Sequence, residues 1–416
     1  TAMFTVRIEN VSTAKEYLDS GVFDTPAGAN QPGPAGPGDA YEFSFDATRG
    51  AKLSFATMFV QSNDFFYAPD IGGIELYDAN GNPNSGDVTS QVFLWDAGTE
   101  INQEPGLGAD QAPRQAGPNT GAPDPDNTVR MAPDDFNNLP AVDQVIRVTL
   151  TSISATRFML RIENISDSTT LSISTGGSVA VPLAPGVFVV HTTDAPLFTP
   201  GQPEPGMGLE MLAEDGNAVT LGDALAMETG ITQLLAPGVW ATHTIADPFF
   251  TSGQPDRGVG LEALAEDGDP GALSNAIGSM NGIVKSGVFN TPVGAGAPGP
   301  LTPGTAYEFT FEATEGEMLS FATMFVQSND LFYAPNGQGI ELFQNGQAIS
   351  GDVTSQIMLW DAGTEVNEMP GFGFNQAPRQ TAPNTGSDEN GVVQIVNDGF
   401  SYPAVDEVIK VTVTPQ

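Results

Sequence analysis

Apolar and polar residues alternate along many short segments of the chain. Clear examples are FTVRIENVS from Phe4, AYEFSFDA from Ala40, VIRVTLTSI from Val145 and FMLRIENIS from Phe158. Alternation with a period of two is typical of a β-strand that buries one face. Loops rich in glycine and proline separate these segments, as in sandwiches built from short strands. The pattern predicts an all-β protein made of tandem antiparallel β-sandwiches.

The chain is internally duplicated. The segment LSFATMFVQSND occurs from Leu53 and again from Leu319, and WDAGTE follows in both halves of the chain. Both halves also share the opening RIEN strand and a closing PAVD segment. Repetition of a long ordered series of segments indicates two domains with one fold. The repeat boundaries place these domains at 1–153 and 157–416.

A shorter repeat lies inside the second half of the chain. The pattern APGV…GLE-x-LAEDG begins at Ala184 and again at Ala236, and each copy ends in a short helix pattern closed by glycine. The first domain has no copy, whereas the second carries two within 181–277. Because unpaired strand edges and an open core are costly, we expect one copy, 184–217 or 236–269, to cover the first domain. The cover can come from the same chain or from the next chain; we favour the next chain, which gives a head-to-tail filament.

The charge composition of the chain limits the classes of partner that it can bind. The 13 lysines and arginines face 51 aspartates and glutamates, a formal net charge of −38. Such a surface repels nucleic acid phosphates and anionic lipids, and it favours bound cations or salty surroundings. There is no cysteine, which excludes disulfides and thiolate zinc sites, and no apolar run long enough to span a membrane. The chain begins at Thr1 without a leader, so we expect a secreted protein in its mature form.

The ordered series FVQSND, GIEL and WDAGTE resembles the spondin domain, whose motifs have the form P-S-P-D-W-F, G-I-D and D-A-G-T-D. The VH…PLF…GLEALAEDGDP segment resembles the bacterial branch of that family. The resemblance covers nearly all of the second domain and most of the first, although the last acid of the third motif is Glu here. It implies an eight-stranded antiparallel sandwich related to calcium- and lipid-binding modules, with calcium at one loop end. It also implies a location at a bacterial cell surface or in a biofilm matrix.

The resemblance also implies a calcium ligand set in each domain. Calcium takes six to eight hard oxygens, and acids on separate loops can supply them. The alternative for the acids of the DAGTE segments is that they only cap turns, as Asp commonly does. Mapped by motif, the implied ligands are Asp64, Glu75, Asp96 and Glu100 in the first domain and Asp330, Glu341, Asp361 and Glu365 in the second.

Three functional classes remain after these observations. The leading hypothesis is a secreted, calcium-binding structural or adhesive protein, a matrix component or filament subunit that self-associates by exchange of the duplicated segment. The alternative is a monomeric, calcium-dependent module that binds cell-surface components or carbohydrate. An enzyme is not expected, because no nucleophile–base arrangement, phosphate-binding glycine loop or HExxH segment occurs. Self-association, surface glycans and matrix components are the expected partners, without nucleic acid and without a transmembrane segment.

Overall fold

Short antiparallel strands make up most of the ordered structure. The computed structural model describes all 416 residues, of which 34% lie in strands and 11% in helices. The expected all-β sandwich fold is therefore confirmed. In chain order, the strands are β1 (Ala2–Asn10), β2 (Tyr17–Phe23), β3 (Ala40–Asp46), β4 (Lys52–Phe59), β5 (Phe65–Pro69), β6 (Ile74–Glu75), β7 (Gly86–Asp87), β8 (Val92–Asp96), β9 (Arg130–Met131), β10 (Ile146–Ser152), β11 (Arg157–Asn164), β12 (Leu171–Ser172), β13 (Ser178–Val179), β14 (Leu183–His191), β15 (Leu235–His243), β16 (Ile283–Phe289), β17 (Ala306–Ala313), β18 (Met318–Phe325), β19 (Leu331–Pro335), β20 (Ile340–Glu341), β21 (Phe343–Gln344), β22 (Gln347–Ala348), β23 (Gly351–Asp352), β24 (Ile357–Asp361), β25 (Gln394–Ile395) and β26 (Ile409–Pro415).

The helices are few and short, and four of them belong to the two copies of the duplicated segment. In each copy the first helix ends at the predicted glycine, Gly216 or Gly268, and a second helix that the pattern did not predict follows it. The α-helices are α1 (Val142–Val145), α2 (Leu209–Asp215), α3 (Val219–Met227), α4 (Leu261–Asp267), α5 (Gly271–Gly278) and α6 (Val405–Val408). None of them is long and apolar enough to cross a membrane.

The chain divides into two compact units that differ from the predicted domains. The central unit is Lys15–Gly230, and the terminal unit combines Thr1–Ala14 with Ile231–Gln416. The sequence-based division at 153–157 therefore falls inside the central unit. The physical reason is that β10 and β11 form a hairpin, with Leu150 opposite Leu160, so β11 stays with the residues before it.

The terminal unit takes its missing strand from the start of the chain. β1 lies between β17 and β26 in a four-stranded sheet of order β17-β1-β26-β23. The central unit has the equivalent sheet β3-β11-β10-β7. Phe4 faces Phe311 across the β1–β17 pair, and Phe158 faces Phe45 across the β11–β3 pair. The RIEN strands of the two repeats have thus exchanged places, and the two units are circular permutations of one fold.

The extra copy of the duplicated segment completes the central unit within the same chain. β14 lies between β2 and β4 in the sheet β2-β14-β4-β5-β8-β9, with β6 beside β4. In the terminal unit, β15 takes the same place in the sheet β16-β15-β18-β19-β24-β25, with β20 beside β18. The edge that was expected to be open is therefore covered without a second chain.

Each unit has a layer of helices outside one of its sheets. In the terminal unit, apolar side chains of the two sheets, such as Phe4, Ile8 and Phe321, fill the sandwich core. On the other face of the larger sheet, Val239 and Phe332 pack against helices α4 and α5. This second cover explains why strand β18 is buried along nearly its whole length rather than at alternate positions. It also brings the acidic end of α4 to the loop end of the sheet.

Candidate metal centre

In the terminal unit, a tight turn places Asp330 at the end of the larger sheet. β18 ends at Phe325 and β19 begins at Leu331. The Oγ of Ser328 donates to the Phe325 carbonyl at 2.6 Å and accepts the Leu331 N–H at 3.1 Å. Leu331 lies opposite Asp361 in the β19–β24 pair, so the turn sets two acids side by side.

The DAGTE turn after β24 fixes both acids through its backbone. The Oδ1 of Asp361 accepts the N–H of Gly363 at 2.7 Å, which is the turn-capping bond that Asp forms readily. The same turn donates three hydrogen bonds to Oδ2 of Asp330, at 2.7, 3.1 and 3.1 Å, from the Thr364 N–H, the Thr364 hydroxyl and the Glu365 N–H. Asp361 thus caps a turn and also takes part in the acidic cluster.

The other oxygen of Asp330 has no partner. Asp330 is fully buried, and its Oδ1 makes no hydrogen bond. Burial, with the charge of Asp361 as a second cause, raises the pKa of Asp330 to about 7. A buried carboxylate oxygen without a donor is unfavourable unless a proton or a cation satisfies it.

Glu389 completes a group of three carboxylates. Its N–H donates to the Thr364 carbonyl at 2.9 Å, which holds it beside the turn. One oxygen from each of Asp330, Asp361 and Glu389 lies within 4.8 Å of the others. Two oxygens on opposite sides of a calcium ion are about 4.8 Å apart, since each Ca–O bond is about 2.4 Å. No lysine or arginine pairs with any of the three.

The central unit repeats the turn but not the open cluster. Oδ2 of Asp64 accepts the same three bonds from Thr99 and Glu100, and Asp96 caps the turn through the Gly98 N–H at 2.7 Å. Oδ1 of Asp64 is again buried without a partner, and burial raises the pKa of Asp64.

An arginine enters the cluster of the central unit. Nη2 of Arg130 lies 2.9 Å from Oδ2 of Asp96 and 2.6 Å from Oδ2 of Asp124. Asp124 matches Glu389, because its N–H donates to the Thr99 carbonyl. No group of three carboxylates within 4.8 Å forms around Asp64.

Glu100 and Glu365 lie beside the clusters rather than in the group of three. Oε2 of Glu100 accepts the side-chain amide of Asn63 at 3.1 Å, and Oε2 of Glu365 accepts that of Asn329 at 2.8 Å. Burial raises the pKa of both glutamates. These two predicted ligands thus border the site, with amide donors already on one oxygen.

Glu75 and Glu341 do not join the clusters, which corrects the predicted ligand set. Glu75 lies opposite Lys52 at the start of β4, and its carboxylate is 3.5 Å from that lysine. Asp64 follows the other end of β4, about 20 Å away at 3.3 Å per residue. Glu341 lies opposite Met318 at the start of β18 in the same way. The GIEL segment belongs to the same sheet as the cluster but reaches its opposite end.

Two acids of the duplicated segment belong to the sites and were missed by the sequence analysis. Glu214 in α2 and Glu266 in α4 are 2% and 3% exposed, and each has a carboxylate oxygen without a partner. Burial raises the pKa of each glutamate to about 8. The negative charges of Glu100 and Asp64 raise the pKa of Glu214 further. Those of Glu365 and Asp330 do the same for Glu266. The repeated LAED sequence is the available signal, but its periodicity predicts only the end of a helix.

No protein-family model matches the chain, and no curated protein matches it. The resemblance to the spondin domain therefore stays a prediction from the motifs.

Proposed function

We propose that this is an extracellular, calcium-binding structural or adhesive protein, non-enzymatic, whose terminal unit is stabilised by a bound calcium ion. The observation that carries the proposal is the group of three carboxylates, Asp330, Asp361 and Glu389, within 4.8 Å of one another, together with the buried Oδ1 of Asp330, which has no hydrogen-bond donor. Three carboxylates offer only hard oxygen ligands, which suit calcium, whereas zinc prefers nitrogen and sulfur. The residues that would hold the ion are these three, with Glu266 and Glu365 at the border.

A bound ion would act on the fold through the turn that builds the site. Asp330 belongs to the β18–β19 turn, Asp361 to the end of β24, and Glu389 to the segment before β25. A cation shared by the three would tie these separate segments together at one end of the sheet. A ligand that binds only the folded state stabilises it by mass action, so calcium would rigidify the terminal unit. Such dependence suits a protein that works outside the cell, where calcium is plentiful.

Self-association is the second part of the proposal. β14 pairs within the chain, and β1 is the strand that an exchange between chains would use, because it leaves the terminal unit directly for the central unit. If β1 of one copy entered the terminal unit of the next, the contact would be head to tail and would propagate. Filament formation of this kind would place the protein in a surface layer or matrix.

The alternative function is a monomeric calcium-dependent binding module. It is favoured by an open pocket of about 320 Å³ lined by Glu262, Glu266 and Asp267 of α4 together with Asp256 and Asn384. A surface or carbohydrate ligand could contact the ion through this pocket. Proposed ligands remain surface glycans or matrix components.

Calcium titration combined with sedimentation tests the proposal. The chelator-treated protein is titrated with calcium by calorimetry, and its size is measured by analytical ultracentrifugation with and without the ion. We expect calcium binding and a concentration-dependent polymer. Binding without any polymer at high concentration favours the monomeric module, and absence of calcium binding overturns both.

A further inference from the structure

The two units carry different charges at equivalent positions of their acidic clusters. Arg130 lies opposite Asp96 in the β8–β9 pair, and Gln394 lies opposite Asp361 in the β24–β25 pair. The neighbours agree with this match, since Val129 and Val393 accept equivalent hydrogen bonds from Gly201 and Gly253. The repeats therefore differ by one positive charge at the edge of the site.

Arg130 occupies the space that a cation would need. Its Nη2 lies 2.9 Å from Asp96 Oδ2 and 2.6 Å from Asp124 Oδ2. A calcium ion bound to the same two oxygens would lie 2.3–2.6 Å from each, so ion and guanidinium nitrogen would overlap. The side chain is held further by hydrogen bonds from Nη1 to the carbonyls of Asp126 and Thr128, at 2.6 and 3.3 Å.

The terminal unit has the opposite arrangement. Gln394 has no charge, and none of the three clustered carboxylates forms an ion pair. Asp330 and Asp361 are both buried, so the cluster concentrates negative charge where water is largely excluded. Buried charges without a counter-charge are costly, and the cost is removed by a proton or by a cation.

We propose that the two units neutralise the same acidic cluster by different means: the terminal unit binds one divalent cation of the calcium class, and the central unit uses the guanidinium of Arg130 in its place. This inference rests on the proposed function, because it presupposes that the cluster is a cation site. Each chain then binds a single divalent cation, although it contains two units of the same fold. The central unit keeps its loop end ordered without calcium, and only the terminal unit responds to the ion.

Exchanging the two residues tests the inference. Calcium is titrated by calorimetry into the wild-type chain, Arg130→Gln, Gln394→Arg and the double exchange, each folded by circular dichroism. We expect one equivalent for the wild type and two for Arg130→Gln. Binding by Gln394→Arg is expected to weaken at least 100-fold. The variant with both exchanges is expected to bind one equivalent of calcium, now in the central unit. Adding Asp96→Asn to that variant should abolish this binding.

The outcomes separate this inference from the proposed function. Wild-type binding of two equivalents, one of them lost in Asp96→Asn or Asp64→Asn, leaves calcium binding intact but overturns the role of Arg130. An unchanged single equivalent in folded Arg130→Gln does the same. If Arg130→Gln does not fold, Gln394→Arg decides, because unchanged affinity in that variant overturns the inference. A wild-type chain that binds no calcium overturns the proposed function and this inference together.

Discussion

Arg130 and Gln394 hold the same position in the register of equivalent strand pairs, yet only Arg130 reaches across to its buried aspartate. Oδ2 of each aspartate accepts one side-chain amide, from Asn102 at 2.9 Å for Asp96 and from Asn367 at 3.0 Å for Asp361. Only Asp96 is also contacted by an arginine, Nη2 of Arg130 at 2.9 Å. A buried carboxylate is satisfied well by an arginine and only in part by a neutral amide. The difference between Arg130 and Gln394 therefore gives the two clusters different electrostatic demands.

Replacing Asp330 with asparagine tests the cation site directly. At a calcium concentration one hundred times Kd, binding stabilises a folded protein by about 2.7 kcal/mol, which raises Tm by several degrees. Asp330→Asn should lose this rise, because it removes the buried oxygen that has no donor. Differential scanning calorimetry with calcium and with chelator measures the effect.

The matched control is Glu341→Gln, which removes an acid of the same unit at the other end of β18. It should keep the full calcium-dependent rise. In chelator, Asp330→Asn should be at least as stable as the wild type at pH 8, because no buried negative charge has to be satisfied. Equal calcium-dependent shifts in wild type and Asp330→Asn would exclude this residue as a ligand.

The raised carboxyl pKa values predict a stability that depends on pH when calcium is absent. The pKa of Asp330 is about 7 and that of Glu266 about 8 in the folded chain, against about 4 for such groups in an unfolded chain. The folded state therefore binds more protons between pH 4 and 8, so its stability is highest near pH 4 and is lost as pH rises towards 8. Acids with lowered pKa, such as Asp352, act only at lower pH.

Unfolding in urea at several pH values, with chelator and with excess calcium, measures this dependence. Calcium should flatten the decline, because it replaces the protons on the clustered oxygens. Glu266→Gln should reduce the slope between pH 6 and 8 in chelator, by up to one proton. A slope that Glu266→Gln leaves unchanged would show that the buried glutamate does not titrate in this range.

Much of the fold could be predicted from the sequence, because strand alternation and repetition are local properties. The fold class, the two-fold repeat and the first helix of each duplicated copy, α2 and α4, followed from the pattern. The unit boundaries did not, because FTVRIENVS and FMLRIENIS are so alike that each fits either sheet. Which sheet each of these two strands joins depends on the chain connection. β11 follows β10 through a short hairpin and pairs with it, whereas β1 is the first strand of the structure.

The candidate cation site could be predicted only in part, because some of its residues are placed by local turns and others by tertiary contacts. Asp64, Asp96, Asp330 and Asp361 are each fixed by a local turn that their motifs encode. Glu75 and Glu341 looked equivalent along the chain, but the strand direction carries them to the far end of the sheet. Glu389, Glu266 and Arg130 reach the clusters only through tertiary contacts, which spacing in one sequence does not reveal.

Gly363 is expected to be the least replaceable residue of the DAGTE turn. Its φ is +68°, and a Cβ there would lie 2.6 Å from the backbone nitrogen of Val392. Gly363→Ala should destabilise the terminal unit by roughly 2–4 kcal/mol, since conformational strain and a clash with backbone add. Gly294→Ala is the control, because its φ is +82° but nothing lies within 4 Å of the added atom. It should cost only about 1 kcal/mol; equal losses in urea unfolding would argue against the clash.

The net charge of −38 predicts stabilisation by salt. Molar sodium chloride shortens the screening length to about 3 Å, which weakens repulsion among surface carboxylates. The urea midpoint should therefore rise between dilute buffer and molar sodium chloride when free calcium is held constant. Sucrose at matched osmolality serves as the control for excluded-solute effects. Midpoints that agree within error would show that self-repulsion does not limit stability.

β1 offers a test of both the fold and the proposed assembly. It supplies Phe4, Val6 and Ile8, all fully buried, to the core of the terminal unit, and it pairs with strands on both sides. Deleting Thr1–Asn10 should unfold or loosen the terminal unit, because β17 loses its strand partner, β26 loses one of its two, and the core loses three side chains. The central unit should keep its structure, since β11 fills the equivalent place there. Hydrogen exchange measured by mass spectrometry reports the two units separately.

Adding a synthetic peptide of residues 1–12 to the deletion variant should restore protection of β17 and β26, because it supplies the same hydrogen bonds from a separate molecule. A peptide with Val6→Asp and Ile8→Asp should not, since these positions face the core. Rescue would show that the slot accepts β1 from another chain, which head-to-tail assembly requires. Protection of β17 and β26 in the deletion variant alone, equal to that of the full chain, would show that β1 is dispensable and would remove the strand-exchange route to a filament.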